Sequence, residues 1–138
     1  MWIVYAILSA VFASLTAILS KIGIAGINSN LSTAIRTVVV VVMAWAVVFI
    51  TGQHRGLADV TGRNLLFLVL SGIATGLSWL FYFKALQMGD VSMVVPIDKF
   101  SVVITMILAF IFLGESPSLK TILGGGLITA GTIVLILK

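Results

Sequence analysis

The chain has 138 residues, of which 61% are hydrophobic and only 9% are charged. Soluble globular domains carry about 25% charged residues, so this composition excludes a water-soluble fold and makes lipid the surrounding solvent. The sequence has no cysteine, which excludes disulfides, thiol nucleophiles and cysteine-ligated metals. The eight Lys and Arg residues are scattered singly, so the net charge of +4 indicates membrane anchoring and no nucleic acid partner.

Five apolar segments are each long enough to span a bilayer as a helix, which takes about 20 residues. In chain order they cover approximately residues 2–20, 32–51, 65–83, 92–113 and 119–137. The second segment is rich in valine, but an open strand in lipid would leave its backbone unpaired, so a helix is predicted there too. The connections are short and polar. We therefore predict an all-α integral membrane protein, one domain over residues 1–138, built as a five-helix bundle.

The chain starts Met1-Trp2-Ile3-Val4 without the basic region of a removable signal peptide, so the first segment is expected to stay in the membrane.

The arrangement of charges sets no strong orientation in the membrane. Five helices place the two termini on opposite sides. The basic residues divide almost evenly between the two sides, so insertion in both orientations and insertion in one weakly biased orientation both stay open.

Two helices carry polar or small residues along one face, at the spacing of successive helical turns. In the first helix these are Ser9, Ala13, Thr16 and Ser20, and in the third they are Ser71, Thr75, Ser78 and Tyr82. One interpretation is a water-accessible cavity, with Tyr82 and the adjacent Trp79 as aromatic walls for an organic solute. The alternative is helix packing, because small residues favour close helix contact in membranes and the pair Gly72 and Gly76 has the spacing for it.

The fourth segment contains Asp98, the one carboxylate predicted to lie within the membrane. An ionisable group there costs about 2.5–3.5 kcal/mol at the bilayer centre and less toward the interface, so it should face protein or water. Ser101 and Thr105 share its helix face, and Pro96 nearby interrupts the helix. Asp98 is interpreted as a proton-coupling or cation-binding carboxylate, or alternatively as half of a structural salt bridge to Lys84 or Arg36. Adjacent helical residues point about 100° apart, so Lys99 is expected to snorkel along an apolar face and not to pair with Asp98.

Lys21 and Arg36 are predicted near the same side of the membrane as Asp98. They are candidates for binding an anionic group at a cavity mouth. Anchoring at the membrane interface is the alternative for both.

Three motifs in the second half of the chain carry a family resemblance. They are Ala85-Leu86-Gln87-Met88-Gly89-Asp90, Val95-Pro96-Ile97-Asp98-Lys99 and Phe112-Leu113-Gly114-Glu115, followed by a Gly-x-x-Leu-Ile-x-x-Gly pattern over residues 124–131. Through these motifs the chain resembles an EamA domain of the drug/metabolite transporter superfamily, and it is most similar to the short stand-alone bacterial and archaeal type.

The resemblance implies half of an inverted-repeat fold of ten helices. Most relatives carry two such domains and move small metabolites, such as amino acids or amphipathic solutes, across a membrane. It implies a homodimer, antiparallel if the inverted repeat is to be reproduced, in the prokaryotic cytoplasmic (inner) membrane. Helices one to four would surround the cavity, while the fifth would pack outside through its glycines, and Glu115 would be structural. Small four-helix exporters of the superfamily use a carboxylate midway along helix one; residues 9–20 have none, so that mechanism is not expected.

Together these points predict a secondary transporter of small metabolites or amphipathic solutes that works as a homodimer by alternating access. The candidate site residues are Asp98, Lys99, Tyr82, Trp79, Ser78, Ser101, Thr105, Arg36 and Lys21, with no cofactor and no metal. A non-transporting small membrane subunit or assembly partner is the main alternative, and a passive channel is a third. With one histidine and no phosphate-binding loop, the chain is not expected to be an enzyme.

Overall fold

The computed structural model describes residues 1–137, which form six α-helices and one short 3-10 helix. These are α1 (Trp2–Gly23), α2 (Ser29–Ile50), the 3-10 helix (Gln53–Asp59), α3 (Gly62–Met88), α4 (Val91–Asp98), α5 (Ser101–Phe112) and α6 (Leu119–Ile136). Five stretches of this described chain are long and apolar enough to cross a membrane, with α4 and α5 together forming the fourth, Val91–Phe112. The prediction of an all-helical membrane protein with five spans is therefore confirmed. The predicted domain end at residue 138 lies outside the described residues.

Helix capping explains where α2 begins, and side-chain snorkelling explains where α3 ends. α2 begins three residues earlier than expected because Asn28 caps it, its side-chain oxygen accepting from the Asn30 N–H at 2.8 Å. α3 continues through Lys84 to Met88, five residues beyond the predicted end. A single lysine can snorkel to the interface without breaking a helix, so α3 ends only just before Gly89-Asp90.

The fourth span is interrupted where α4 ends at Asp98 and α5 begins at Ser101. Pro96, inside α4, has no amide hydrogen to donate. Backbone hydrogen bonds between residues three apart, as in a 3-10 helix, bridge the interruption. The Phe100 N–H donates to the Ile97 carbonyl at 3.0 Å, and the Val102 N–H donates to the Lys99 carbonyl at 3.0 Å. These bonds keep the backbone paired, as an apolar environment requires.

A tight turn separates α5 from α6. Gly114 has a φ of +65°, a left-handed conformation that suits a residue just beyond a helix end. The Ser118 hydroxyl then caps α6 by accepting from the Thr121 N–H at 3.1 Å. Both residues occupy the positions that their turn chemistry predicts.

The described chain divides into two compact units, Met1–Met88 and the part from Gly89 onward. In the first unit α3 contacts both α1 and α2, and in the second α6 contacts both α4 and α5. The buried apolar side chains of the described residues are Ala17, Ile24, Phe83 and Leu86, all in the first unit. Most large apolar side chains of both units are exposed, which a lipid or protein surrounding, and not water, would tolerate.

The glycines do not all pack as predicted. A Cβ built at Gly72 or at Gly76 meets nothing within 4 Å, so the close helix approach expected at this pair is not found within residues 1–137. At Gly125 a Cβ would lie 3.3 Å from the Met106 sulfur, whereas the adjacent Gly126 faces open space. Close packing through glycine therefore occurs between α5 and α6, at Gly125.

Replacing Gly125 with a larger residue should destabilise the second unit. We expect Gly125→Leu to force α6 away from Met106, because overpacking a close contact costs about 1–3 kcal/mol. Gly126→Leu is the matched control, since it adds the same side chain one residue along α6 into open space. Thermal unfolding of the purified protein in detergent should show a lower midpoint for Gly125→Leu alone. Equal midpoints for the two variants would contradict the observed packing.

Candidate functional site

A cavity of about 350 Å³ lies in the first unit, between the last turns of α1 and the first half of α2. Phe83 of α3 forms part of its wall. The polar or charged lining residues are Thr16, Ser20, Ser32 and Arg36, and the apolar ones are Leu19, Ile24, Ile27, Ile35 and Phe83, with Gly23. The polar stripe of α1 thus borders the cavity through its last two members, Thr16 and Ser20.

Arg36 is the charged residue of this cavity lining, about 10 Å along α2 from its first residue. Its guanidinium carbon lies 4.6 Å from the Trp79 ring centre and 5.3 Å from the Phe83 ring centre. Cation–π contacts contribute about 0.5–2 kcal/mol each, which offsets part of the cost of placing a cation in a membrane span. The two rings therefore hold Arg36 at the cavity. Trp79 and Arg36, predicted separately, are brought together.

Ser32 is a cavity residue that sequence reasoning missed. It lies one turn before Arg36 on α2, and its hydroxyl oxygen is buried without a hydrogen-bond partner among the described residues. Neighbouring Thr33 differs, since its hydroxyl donates to the Ser29 carbonyl at 2.9 Å. The spacing of four residues from Arg36 is the signal that could have identified Ser32.

Lys21 lies near the cavity but makes a structural contact. Its ammonium group donates to the Leu86 carbonyl at 2.6 Å, within the last turn of α3. A cation at this end of a helix satisfies a carbonyl that has no partner in the helix and complements the helix dipole. Close by, the Gln87 side chain donates to the Ile27 carbonyl at 2.9 Å. These two contacts tie α3 to α1 and to the loop after it.

The other two predicted residues of the first unit do not line the cavity, although Tyr82 interacts electrostatically with Arg36. Tyr82 is half-buried, with its ring edge against the Phe83 ring at a centroid distance of 6.0 Å. Ser78 is exposed and does not line the cavity.

In the second unit, Asp98 and Lys99 form an ion pair with a distance of 3.6 Å between Nζ and Oδ2. The expectation that these neighbours would not pair is wrong, because the flexible lysine side chain reaches back over the end of α4. The pair is open to its surroundings, the two side chains being 35% exposed for Asp98 and 54% exposed for Lys99. Pairing of this kind holds a carboxylate loosely.

Ser101 and Thr105 line a second cavity of about 370 Å³ in the same unit, together with Glu115. Asp98 does not line it, although all three were predicted on one helix face. The tight turns between α4 and α5 advance each residue by about 120° instead of 100°, which rotates Asp98 away from the face of α5. Among the described residues, no three His, Cys, Asp or Glu side chains are grouped as a metal site would need.

The chain was compared with known protein families, curated proteins and solved structures. The model of the EamA-like transporter family matches residues 1–137. A protein of Sinorhizobium sp. described as an uncharacterized transporter in the cobO 3′ region is 48% identical over 134 residues, covering 97% of this chain and 95% of that protein. No solved structure matches the chain. Both matches point to a membrane transporter and not to an enzyme. The chain is a multi-pass membrane protein that belongs to the EamA-like transporter family.

Proposed function

We propose that this protein is a secondary transporter of small metabolites or amphipathic solutes, working as a homodimer by alternating access. The observation that supports it is the Arg36 cavity, a largely apolar pocket of about 350 Å³ that contains one guanidinium and three hydroxyl side chains within membrane-spanning helices. A charged and hydroxyl-lined space in a membrane span is costly unless it faces water or a solute. Transporters hold their substrates in such spaces between membrane-spanning helices.

A second copy would complete the transport path. The match covers 95% of the related Sinorhizobium protein, so that protein has a single domain of this type. The chain supplies five spans, and two antiparallel copies would reproduce a ten-helix inverted repeat. The open faces at Gly72 and Gly76 leave room on α3 for another helix. The proposed location is the prokaryotic inner membrane.

Asp98 is the proposed coupling group. It is a partly exposed carboxylate beside the interruption of the fourth span, held only by the adjacent Lys99 among the described residues. A carboxylate held by one exposed pair can exchange that partner for a proton or a cation. In this proposal Ser101 and Thr105 line the solute path of the second unit, while Tyr82 and Ser78 lie beside that of the first.

Neutralising Asp98 should uncouple transport. We expect Asp98→Asn to abolish flux driven by a pH or cation gradient in reconstituted vesicles while the dimer stays intact, because the amide cannot exchange a proton. Asp59→Asn, in the exposed 3-10 helix, is the matched control and should keep gradient-driven flux. Flux is followed with a radiolabelled panel of small metabolites, and assembly by size-exclusion chromatography. Gradient-driven flux at the wild-type level in Asp98→Asn would remove Asp98 from the coupling role.

Insertion of the protein in both orientations can be detected by labelling single introduced cysteines. The chain has no cysteine of its own, so Gln53→Cys and Asn30→Cys each introduce one reporter, the first in the 3-10 helix after α2 and the second in the first turn of α2. An antiparallel dimer predicts that a membrane-impermeant maleimide labels about half of each variant from either side of the membrane, since the two copies are inserted oppositely. Labelling of each position from one side only would exclude the antiparallel arrangement.

A further inference from the structure

We infer that Arg36 binds the anionic group of the transported solute, and that this solute is a carboxylate with an apolar body. The inference rests on the proposed function, because it names the class of solute that the Arg36 cavity accepts. It assigns Arg36 a binding role instead of that of an interfacial anchor.

No carboxylate of the first unit neutralises the charge of Arg36. None lies within 4.0 Å of its side chain, and no residue of that unit is found to accept a hydrogen bond from its guanidinium. The faces of Trp79 and Phe83 stabilise the cation, and Tyr82 interacts with it electrostatically, but none of these three side chains is a carboxylate. A guanidinium has five such donors in a fork that matches the two oxygens of a carboxylate.

The Ser32 hydroxyl provides a second, independent indication of a ligand. It is buried, lines the same cavity and has no hydrogen-bond partner in the described chain. A buried hydroxyl without a partner is unfavourable, and unpaired polar groups in native proteins commonly mark places where a ligand or a water belongs. Since Ser32 lies one helical turn from Arg36, one anion can accept from both side chains.

The remaining walls indicate what the anion is attached to. Leu19, Ile24, Ile27, Ile35 and Phe83 give the cavity an apolar surface, and its volume of about 350 Å³ suits a small molecule. No acidic side chain lines it. An ammonium group would therefore find Arg36 and no counter-charge in this unit, which favours a simple carboxylate over an amine.

A matched set of three probes tests this preference. Phenylacetate is the carboxylate, phenylacetamide is its neutral analogue of similar shape, and phenethylamine is the cation. In wild-type protein we expect phenylacetate to bind about 10- to 100-fold more tightly than the amide, the range expected for a hydrogen bond to a charged group. Arg36→Gln should remove this difference, and Arg36→Lys should keep part of it. Arg55→Gln, in the exposed 3-10 helix, is the control and should leave it unchanged.

Trp79 offers a binding signal that is independent of transport. With Trp2→Phe and Trp45→Phe in the background, tryptophan fluorescence reports only on the ring that lies against Arg36. Phenylacetate should change this fluorescence in phosphatidylcholine vesicles. If Arg36→Gln does not fold, Ser32→Ala provides the test instead: it should weaken phenylacetate binding severalfold and weaken binding of the amide less, because a hydrogen bond to a charged acceptor is the stronger one.

The outcomes separate this inference from the proposed function. If solutes are transported but phenylacetate binds no more tightly than phenylacetamide, the proposed role of Arg36 is wrong and the proposed transport function is retained. Phenylacetate binding at Trp79 without flux of any solute would support the anion site and overturn transport. Absence of phenylacetate binding, equal binding in Arg36→Gln, or the same Trp79 response to phosphatidylglycerol in place of phenylacetate would overturn the inference, the last by showing a lipid headgroup site.

Discussion

The rest of the structure depends on one constraint: hydrocarbon, and not water, surrounds the helices. Each membrane-spanning stretch is nearly free of charge, and most of its large apolar side chains point away from the described chain. Hydrocarbon tolerates such surfaces but not an unpaired backbone or an isolated ion. The folded chain meets both demands locally. Capped helix ends and tight turns pair the backbone. Lys21, Arg36 and Asp98 each lie against a specific neighbour.

These neighbours divide the charged residues into two kinds. Lys21 satisfies a carbonyl at the end of α3 and so holds the first unit together. Arg36 and Asp98 are held more loosely, one by aromatic faces and the other by an exposed lysine beside an interrupted helix. A structural ion pair would be tight and enclosed. Loosely held charges that border a cavity or an interruption are suited to exchanging partners, which is what binding and coupling require.

Much of the fold could be predicted from the sequence because hydropathy decides where a helix must span a bilayer. The five spans follow from apolar length, and the turn at Gly114 and Ser118 follows from its residue chemistry. Less of the candidate site could be predicted from the sequence. Asp98 and Lys99 pair because the helix ends there, which a uniform helical geometry does not anticipate. Ser32 was missed because an unpaired hydroxyl is a property of packing and not of residue type.

The central claim is that water reaches the Arg36 cavity, while the other faces of the same helices meet lipid. Two adjacent residues of α1 test it at nearly the same depth: Thr16 lines the cavity, whereas Leu15 is 51% exposed on another face. Thr16→Cys and Leu15→Cys, each carrying a nitroxide in reconstituted membranes, can be compared by electron paramagnetic resonance. A water-soluble nickel chelate should relax the label at position 16, while dissolved oxygen should relax the label at position 15. Nickel access that is equal at both positions, or higher at position 15, would contradict the account.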